Sequence, residues 1–146
     1  MNSKKLIVLV GPTAVGKTET ALRLAKYFRT EIISADSRQV FIGMDLGTGK
    51  DIAEYSCGGL NVPFHLIDIL DPKEEFSVFT FRELFYKKFR EIHERGKTPL
   101  LVGGTGLYLD AVIRNYALPA VPENKSLRED LVGEGMDSLC KRLLIT

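Results

Sequence analysis

Cysteine is scarce in this chain. Cys57 and Cys140 are the only two among 146 residues, and neither has a Cys or His partner at a metal-ligand spacing. That argues against a disulfide framework or a zinc site and leaves buried or idle thiols in a reducing compartment. An excess of either charge is missing too. Twenty Lys and Arg stand against 19 Asp and Glu, a net charge of +1, so composition offers no electrostatic stripe for nucleic acid. A nucleic-acid substrate held by a few contacts stays compatible with that balance. No apolar run is long enough to span a membrane. The start, Met1-Asn2-Ser3-Lys4-Lys5, resembles the charged part of a signal peptide, but the apolar run after it stops at Val10 with no cleavage pattern. Repeats and low-complexity tracts are absent. His65 and His93 have no catalytic partner nearby in sequence and read as structural or solvated. What remains is a soluble, cytoplasmic, single-domain length of chain, with 45% hydrophobic residues to build a core.

What is present begins at once. The run Leu6-Ile7-Val8-Leu9-Val10 breaks into Gly11-Pro12-Thr13-Ala14-Val15-Gly16-Lys17-Thr18, the full G-x-x-x-x-G-K-[ST] pattern of a P-loop. A buried strand precedes it. An amphipathic helix follows, with Ala21, Leu24, Ala25 and Phe28 on one face. The glycines let backbone N–H groups turn toward phosphate oxygens, Lys17 adds a point charge, Thr18 offers a hydroxyl to Mg²⁺, and the helix N-terminus adds partial positive charge. A plain glycine turn would explain the glycines but not the Lys-Thr pair. Taken alone, the loop implies nucleotide binding, ATP above all. It does not say whose phosphates it holds. Gly96-Lys97-Thr98 repeats the tripeptide, but Glu91 stands where the first loop glycine belongs and the triplet precedes a strand, so it reads as a helix stop and turn.

Further strands are expected at Glu31–Ala35, ending in Asp36, at His65–Leu70, and at Pro99–Val102. The glycine-punctuated stretch from Gly43 through Gly59 reads as loop. A helix starts near Thr80-x-x-Glu83, with Ser77 as a rival N-cap, carries Phe81, Leu84, Phe85, Phe89 and Ile92 on one face, and stops at Gly96. Lys87-Lys88-Arg90 forms its wet face. Gly103-Gly104 opens another helix, bearing Leu107, Tyr108, Ala111 and Val112. Strands alternating with helices predict an α/β fold, a P-loop NTPase-like parallel sheet with helices on both faces. Its carboxyl edge gathers the P-loop, Asp36 and the Gly103-Gly104-Thr105 turn. From Pro119 onward, Pro122, Gly133 and Gly135 interrupt the pattern, so residues 1–118 read as the core and 119–146 as the start of a second, helical segment.

Asp36 at a strand's carboxyl end can act as a general base or, through water, as a metal partner. Ser37, Arg38 and Gln39 supply hydrogen bonds suited to a nucleobase or its backbone. Asp68, late in an apolar run, is a weaker metal candidate, since Ile69 and Leu70 continue beyond it.

Four stretches occur in order: Gly11–Thr18; Asp36-Ser37-Arg38-Gln39-Val40-Phe41-x-Gly43-Met44-Asp45-x-Gly47-Thr48-Gly49-Lys50; His65-Leu66-Ile67-Asp68; and Leu101-Val102-Gly103-Gly104-Thr105-Gly106-Leu107-Tyr108. Together they closely resemble the N-terminal half of the tRNA dimethylallyltransferases, or tRNA isopentenyltransferases, from about Leu6 to about Arg128. The resemblance implies transfer of a dimethylallyl group from dimethylallyl diphosphate to N6 of the adenosine just 3′ of a tRNA anticodon. It implies that Gly11, Pro12, Thr13, Ala14, Val15, Gly16, Lys17 and Thr18 hold the diphosphate, with Mg²⁺ near Thr18. Lys17 and the metal would neutralise the departing pyrophosphate, and Asp36 would accept the amine proton. Ser37, Arg38 and Gln39 would hold the flipped-out adenosine, and Thr105 and Arg128 would touch the tRNA. The implied partners are the prenyl diphosphate and tRNA, with no membrane, acting as a monomer.

Two departures accompany it. Phe41 stands where the family usually has Tyr. Family members are also considerably longer, with a Gln-Arg-x-x-Arg segment and a helical tRNA-binding region not found here, so the fold is expected to be incomplete at the C-terminus and the second segment truncated. The competing expectations are an adenylate isopentenyltransferase acting on free nucleotides, a P-loop small-molecule kinase, and an inactive diphosphate-binding fragment. The first tends to carry a Gly-Gly-Ser-Asn-type turn where this chain has Gly103–Tyr108. Against the second, no Arg-bearing lid segment is evident in this sequence, and the stretch from Asp36 to Lys50 would go unexplained.

Overall fold

The computed structural model describes residues 4–50, 52–53, 55, 61–116 and 124–145. The apolar run before the P-loop forms β1 (Ile7–Val10), and α1 (Lys17–Phe28) starts at the end of the loop. Gly16 is its N-cap with φ 80°, a left-handed conformation that glycine adopts without steric cost. Arg29 ends the helix at φ 50°, with its N–H turned back to the carbonyls of Ala25 and Lys26. Then come β2 (Ile32–Ala35) and the two-residue β3 (Phe64–His65). For α2 (Val78–Glu94) the rival cap is the one used: Ser77 Oγ accepts from the Thr80 N–H at 3.1 Å. The helix closes at Gly96, φ 72°. Next are β4 (Leu100–Gly103) and α3 (Gly106–Ile113), and the described tail holds α4 (Lys125–Val132) and α5 (Met136–Ile145).

The four strands form one parallel sheet in the order β1-β4-β2-β3. Alternate strand residues face opposite sides, so Ile32 and Leu100 join Ala21 and Ala25 of α1 in one core cluster. Ile33 and Leu101 join Phe81, Phe85 and Ile92 of α2 and Tyr108, Leu109 and Val112 of α3 in the other. Helices therefore cover both faces, as the alternation predicts. Phe81 and Tyr108 stack at 4.4 Å and 12° between α2 and α3. On α1 only Ala21 and Ala25 of the expected face are buried, and Phe28 is half exposed. On α3 the inward residues include Leu109, while Leu107 points to solvent.

The expected strand His65–Leu70 is corrected. It ends at His65, because Leu66 and Asp68 take left-handed conformations, φ 64° and 50°, which turn the chain out of the pleat. Leu66 and Ile67 are still buried, so the apolar run reflects core packing without strand geometry. The segment rejoins the sheet region through a bridge between Leu70 and Phe41.

At the amino end of β2 sits a buried ion cluster. Glu31 accepts from Arg95 Nε and Nη2 at 2.9 and 2.7 Å, from Lys97 Nζ at 3.1 Å, and from His65 Nε2 at 2.8 Å. It ties the ends of α2, β3 and β4 together. Lys97, from the second Gly-Lys-Thr triplet, is thus a structural cation. His93 Nε2 donates to the Lys5 carbonyl at 2.9 Å, so both histidines hold the fold. Lys87 and Arg90 are exposed and Lys88 pairs with Glu91 at 2.8 Å, which is the wet face expected of that helix. Cys140 is exposed and unpaired, and Cys57 lies outside the described residues, as do Pro119, Pro122 and the 118/119 boundary. Among the described residues no helix is long and apolar enough to cross a membrane.

Candidate active site

The register of the sheet assembles the site. Val10, Gly103 and Ala35 are aligned across β1, β4 and β2, so the next residues, Gly11, Gly104 and Asp36, emerge side by side at the carboxyl edge. Gly103 leaves no room for a side chain against β2: a Cβ there would lie 2.3 Å from the Ala35 carbonyl oxygen. At Gly104 a Cβ would stand 3.3 Å from the Gly11 carbonyl oxygen, which seats this turn against the P-loop.

These three ends open into a cleft of about 1100 Å³. The P-loop supplies Gly11, Pro12, Thr13, Ala14, Gly16, Lys17 and Thr18 to its wall; Val15 belongs to the loop but points away, 57% exposed. Ala14 takes φ 64°, a left-handed conformation unusual for a residue with a side chain, which curls the loop around the cleft end of β1. Lys17 Nζ donates to the Pro12 carbonyl, folded across its own loop. Asp36, Ser37, Arg38 and Gln39 line the opposite wall.

Asp36 is held by its own turn. Its Oδ1 accepts from the Arg38 N–H at 2.8 Å and the Gln39 N–H at 3.3 Å, an Asx turn, while Oδ2 has no partner among the described residues. Thr105 completes the junction: its Oγ1 accepts from the Ser37 N–H at 3.2 Å, and its own N–H donates to the Ala35 carbonyl. Thr105 thus lines the cleft and also braces the Asp36 turn, a bond that spacing could not reveal. Burial, with the Asp36 charge second, raises the pKa of the nearby Tyr108 hydroxyl. Arg128 lies on α4 and does not line the cleft.

Sequence reasoning gave no role to Lys50 and offered Asp68 to a metal. The structure joins them. Lys50 Nζ donates to Asp68 Oδ1, to Asp45 Oδ1 at 2.9 Å, and to the Phe41 carbonyl at 2.8 Å. Burial alone would lower the Lys50 pKa, but the bonds from Asp68 and Asp45 outweigh it and raise it. Asp68 is therefore the partner of an ammonium. Among the described residues no three His, Cys, Asp or Glu side chains cluster to hold a metal. Thr18, on the cleft wall, has a hydroxyl that could give a Mg²⁺ one protein oxygen, the rest coming from ligand and water as in phosphate sites.

A family model described as IPP transferase matches residues 39–145, and one described as isopentenyl transferase matches residues 4–58. The chain is 55% identical over 141 residues to tRNA dimethylallyltransferase 1 of Syntrophus aciditrophicus, covering 97% of this chain and 46% of that protein. It is 56% identical over 138 residues to tRNA dimethylallyltransferase 2 of Syntrophotalea carbinolica, covering 94% and 45%. The crystal structure of the tRNA isopentenylpyrophosphate transferase of Bacillus halodurans superimposes with a TM-score of 0.75 at 49% identity, over 96% of this chain and 46% of that one. A eukaryotic dimethylallyltransferase acting on tRNA gives 0.73 at 32% identity, over 86% and 31%. The chain thus spans about half the length of the curated relatives it matches. With one family model matched across most of its length, and about half its residues shared with relatives, the chain belongs to the IPP transferase family.

Proposed function

We propose that the cleft serves transfer of a dimethylallyl group from dimethylallyl diphosphate to N6 of the adenosine 3′-adjacent to the anticodon in tRNA. The observation that carries this reading is the convergence of a P-loop and a turn-held carboxylate on one cleft. A phosphate-binding loop facing a base matches a reaction whose leaving group is pyrophosphate and whose nucleophile is an amine.

In that reaction the C1–O bond of the donor breaks and the electron pair leaves with pyrophosphate. The N6–C1 bond forms, and the amine gives up a proton. The Gly11–Thr18 backbone and Lys17 would hold the diphosphate and stabilise the charge that grows on it as the bond breaks. Lys17 would exchange the Pro12 carbonyl for a phosphate oxygen. Mg²⁺ bound beside Thr18 would supply further charge neutralisation there. Asp36 Oδ2 would take the amine proton, with Oδ1 fixed by the Arg38 and Gln39 N–H groups. Ser37, Arg38, Gln39 and Thr105, on the same wall, would seat the adenosine.

A second reading keeps the donor and replaces tRNA with a free adenine nucleotide; the isopentenyl transferase match over residues 4–58, which holds both the P-loop and Asp36, is compatible with it. One assay separates them. The purified chain is incubated with Mg²⁺, dimethylallyl diphosphate and either unmodified tRNA or AMP, and the nucleosides are analysed by mass spectrometry. Prenylated adenosine from tRNA supports the first reading. Prenylated AMP without prenylated tRNA overturns it in favour of the second, and silence in both arms overturns activity of this chain.

A further inference from the structure

The segment from Phe41 to Lys50, of which residues 45–50 line the cleft, has almost nothing apolar to hold it in place. Ile42, Met44 and Leu46 are all exposed, Leu46 at 97%, and Lys50 is the only buried residue of the ten. Gly43, Gly47 and Gly49 take left-handed conformations, φ 73°, 75° and 64°, so the backbone has little stiffness of its own. What anchors it is polar. The Lys50 side chain is 0% exposed, and its ammonium has three N–H donors and three acceptors. Those acceptors come from three places: the Phe41 carbonyl at the start of the segment, Asp45 in its middle, and Asp68 in the turn after β3.

The anchor leads to the Asp36 turn. The carbonyls of Thr48 and Gly49 accept from Gln39 Nε2 at 3.2 and 3.4 Å, while Gln39 Oε1 accepts from Ser34 Oγ at 3.1 Å. The Gln39 carbonyl accepts from the Asp68 N–H at 3.0 Å, and the Gln39 N–H is one of the two that hold Asp36 Oδ1. Lys50 therefore fixes both neighbours of Gln39: the loop in front of its amide and the turn behind its backbone. A buried ammonium is a costly way to gain stability alone, since its desolvation offsets most of its ion-pair energy. Its distinct contribution is geometry. It also cancels one of two carboxylate charges beside a cleft that takes anions.

We infer that Lys50 is a positioning residue of this site, which pins the Phe41–Lys50 wall to Asp68 and so holds the Asp36–Gln39 turn in its amine-accepting geometry. The role rests on the proposed prenyl transfer, but its structural half stands apart from it. The Lys50→Met variant keeps the length of the side chain and removes the ammonium. Three quantities are measured in it and in the wild-type chain: calorimetric affinity for dimethylallyl diphosphate, kcat and KM for transfer to tRNA, and amide exchange by mass spectrometry. Donor affinity is expected to stay within about threefold, because the P-loop is untouched. At saturating tRNA, kcat should fall by about tenfold to a hundredfold, the usual consequence of a small misplacement of reacting groups. Exchange should quicken across residues 38–50 while α2 and β4 keep their protection. Lys50→Arg, which keeps the charge and donors, should recover part of kcat. If Lys50→Met does not fold, Asp45→Ala cuts one arm at an exposed side chain and should show the same changes more weakly. An unchanged kcat with unchanged exchange overturns the inference. So does a loss of donor affinity equal to the loss of kcat/KM, or loosened exchange throughout the fold, since either makes Lys50 a general support. If the wild-type chain transfers nothing, the functional reading has failed, and the exchange and donor-binding arms still decide whether Lys50 anchors the wall.

Discussion

At the carboxyl end of β2, Asp36, on the cleft wall, gives one oxygen to two backbone N–H groups and keeps the other without a partner among the described residues; at the amino end, Glu31 spends both oxygens on Arg95, Lys97 and His65. The same chemical group is half bonded in one place and fully bonded in the other. Asp36→Asn preserves the shape of the turn but cannot take a proton. Transfer is expected to drop by about 10²–10⁴-fold while donor affinity measured by calorimetry is retained. Loss of donor affinity would instead show that Asp36 acts through the metal. For Glu31, burial raises the pKa, but the bonds from Arg95, His65 and Lys97 outweigh it, bringing it from 4.5 down to about 2. The folded pKa is thus below the unfolded one, so Glu31 binds its proton more readily in the unfolded chain. Its stabilisation is full above about pH 4.5 and is lost as pH falls toward 2. The shift corresponds to something on the order of 3 kcal/mol. Glu31→Gln should flatten the acid limb of a urea-midpoint profile between pH 5 and pH 2 by roughly that amount; an unchanged acid limb would show that other carboxylates set it.

Among the elements, β4 is the one the site depends on most, since it lies between β1 and β2 and its last residue aligns with both of theirs. Gly103→Ala would push a methyl group into the backbone of Ala35, 2.3 Å from its carbonyl oxygen, with no flexible side chain to yield. A destabilisation of about 1–3 kcal/mol or more is expected, read as a lower urea midpoint, with donor binding weakened because the P-loop and the Asp36 turn are forced apart. Most of this framework was legible in the sequence. The apolar runs and the 3.6-residue spacing place β1, β2, β4 and the three core helices, and the strand-helix alternation gathers the P-loop, Asp36 and the Gly103-Gly104-Thr105 turn at one carboxyl edge, where the register of the sheet sets them. The exceptions have a common cause. His65–Leu70 reads as a strand because burial gives the same apolar pattern whether the backbone is pleated or turned, and the left-handed Leu66 and Asp68 leave no mark on it. Lys50 reads as a polar loop residue because its partner Asp68 lies 18 positions away. Glu31 reads as the first residue of a strand, since its cations arrive from the far end of α2.

At the scale of the whole molecule, the described core already holds both walls of the cleft, although the chain spans about half the length of its curated relatives. Donor binding can therefore be tested without any other segment. A ligand present at about 100 times its Kd stabilises the folded state by about 2.7 kcal/mol, so occupancy of the cleft should also be visible as a rise in Tm. The central claim is that the Gly11–Thr18 loop grips the diphosphate of a prenyl donor. Isothermal calorimetry of the chain with dimethylallyl diphosphate and Mg²⁺, alongside Lys17→Ala, tests it most directly. Saturable one-to-one binding that weakens by at least about tenfold in Lys17→Ala, with ATP binding more weakly than the prenyl diphosphate, is the result expected. Binding of ATP with no binding of dimethylallyl diphosphate, or prenyl diphosphate binding indifferent to Lys17, would contradict it.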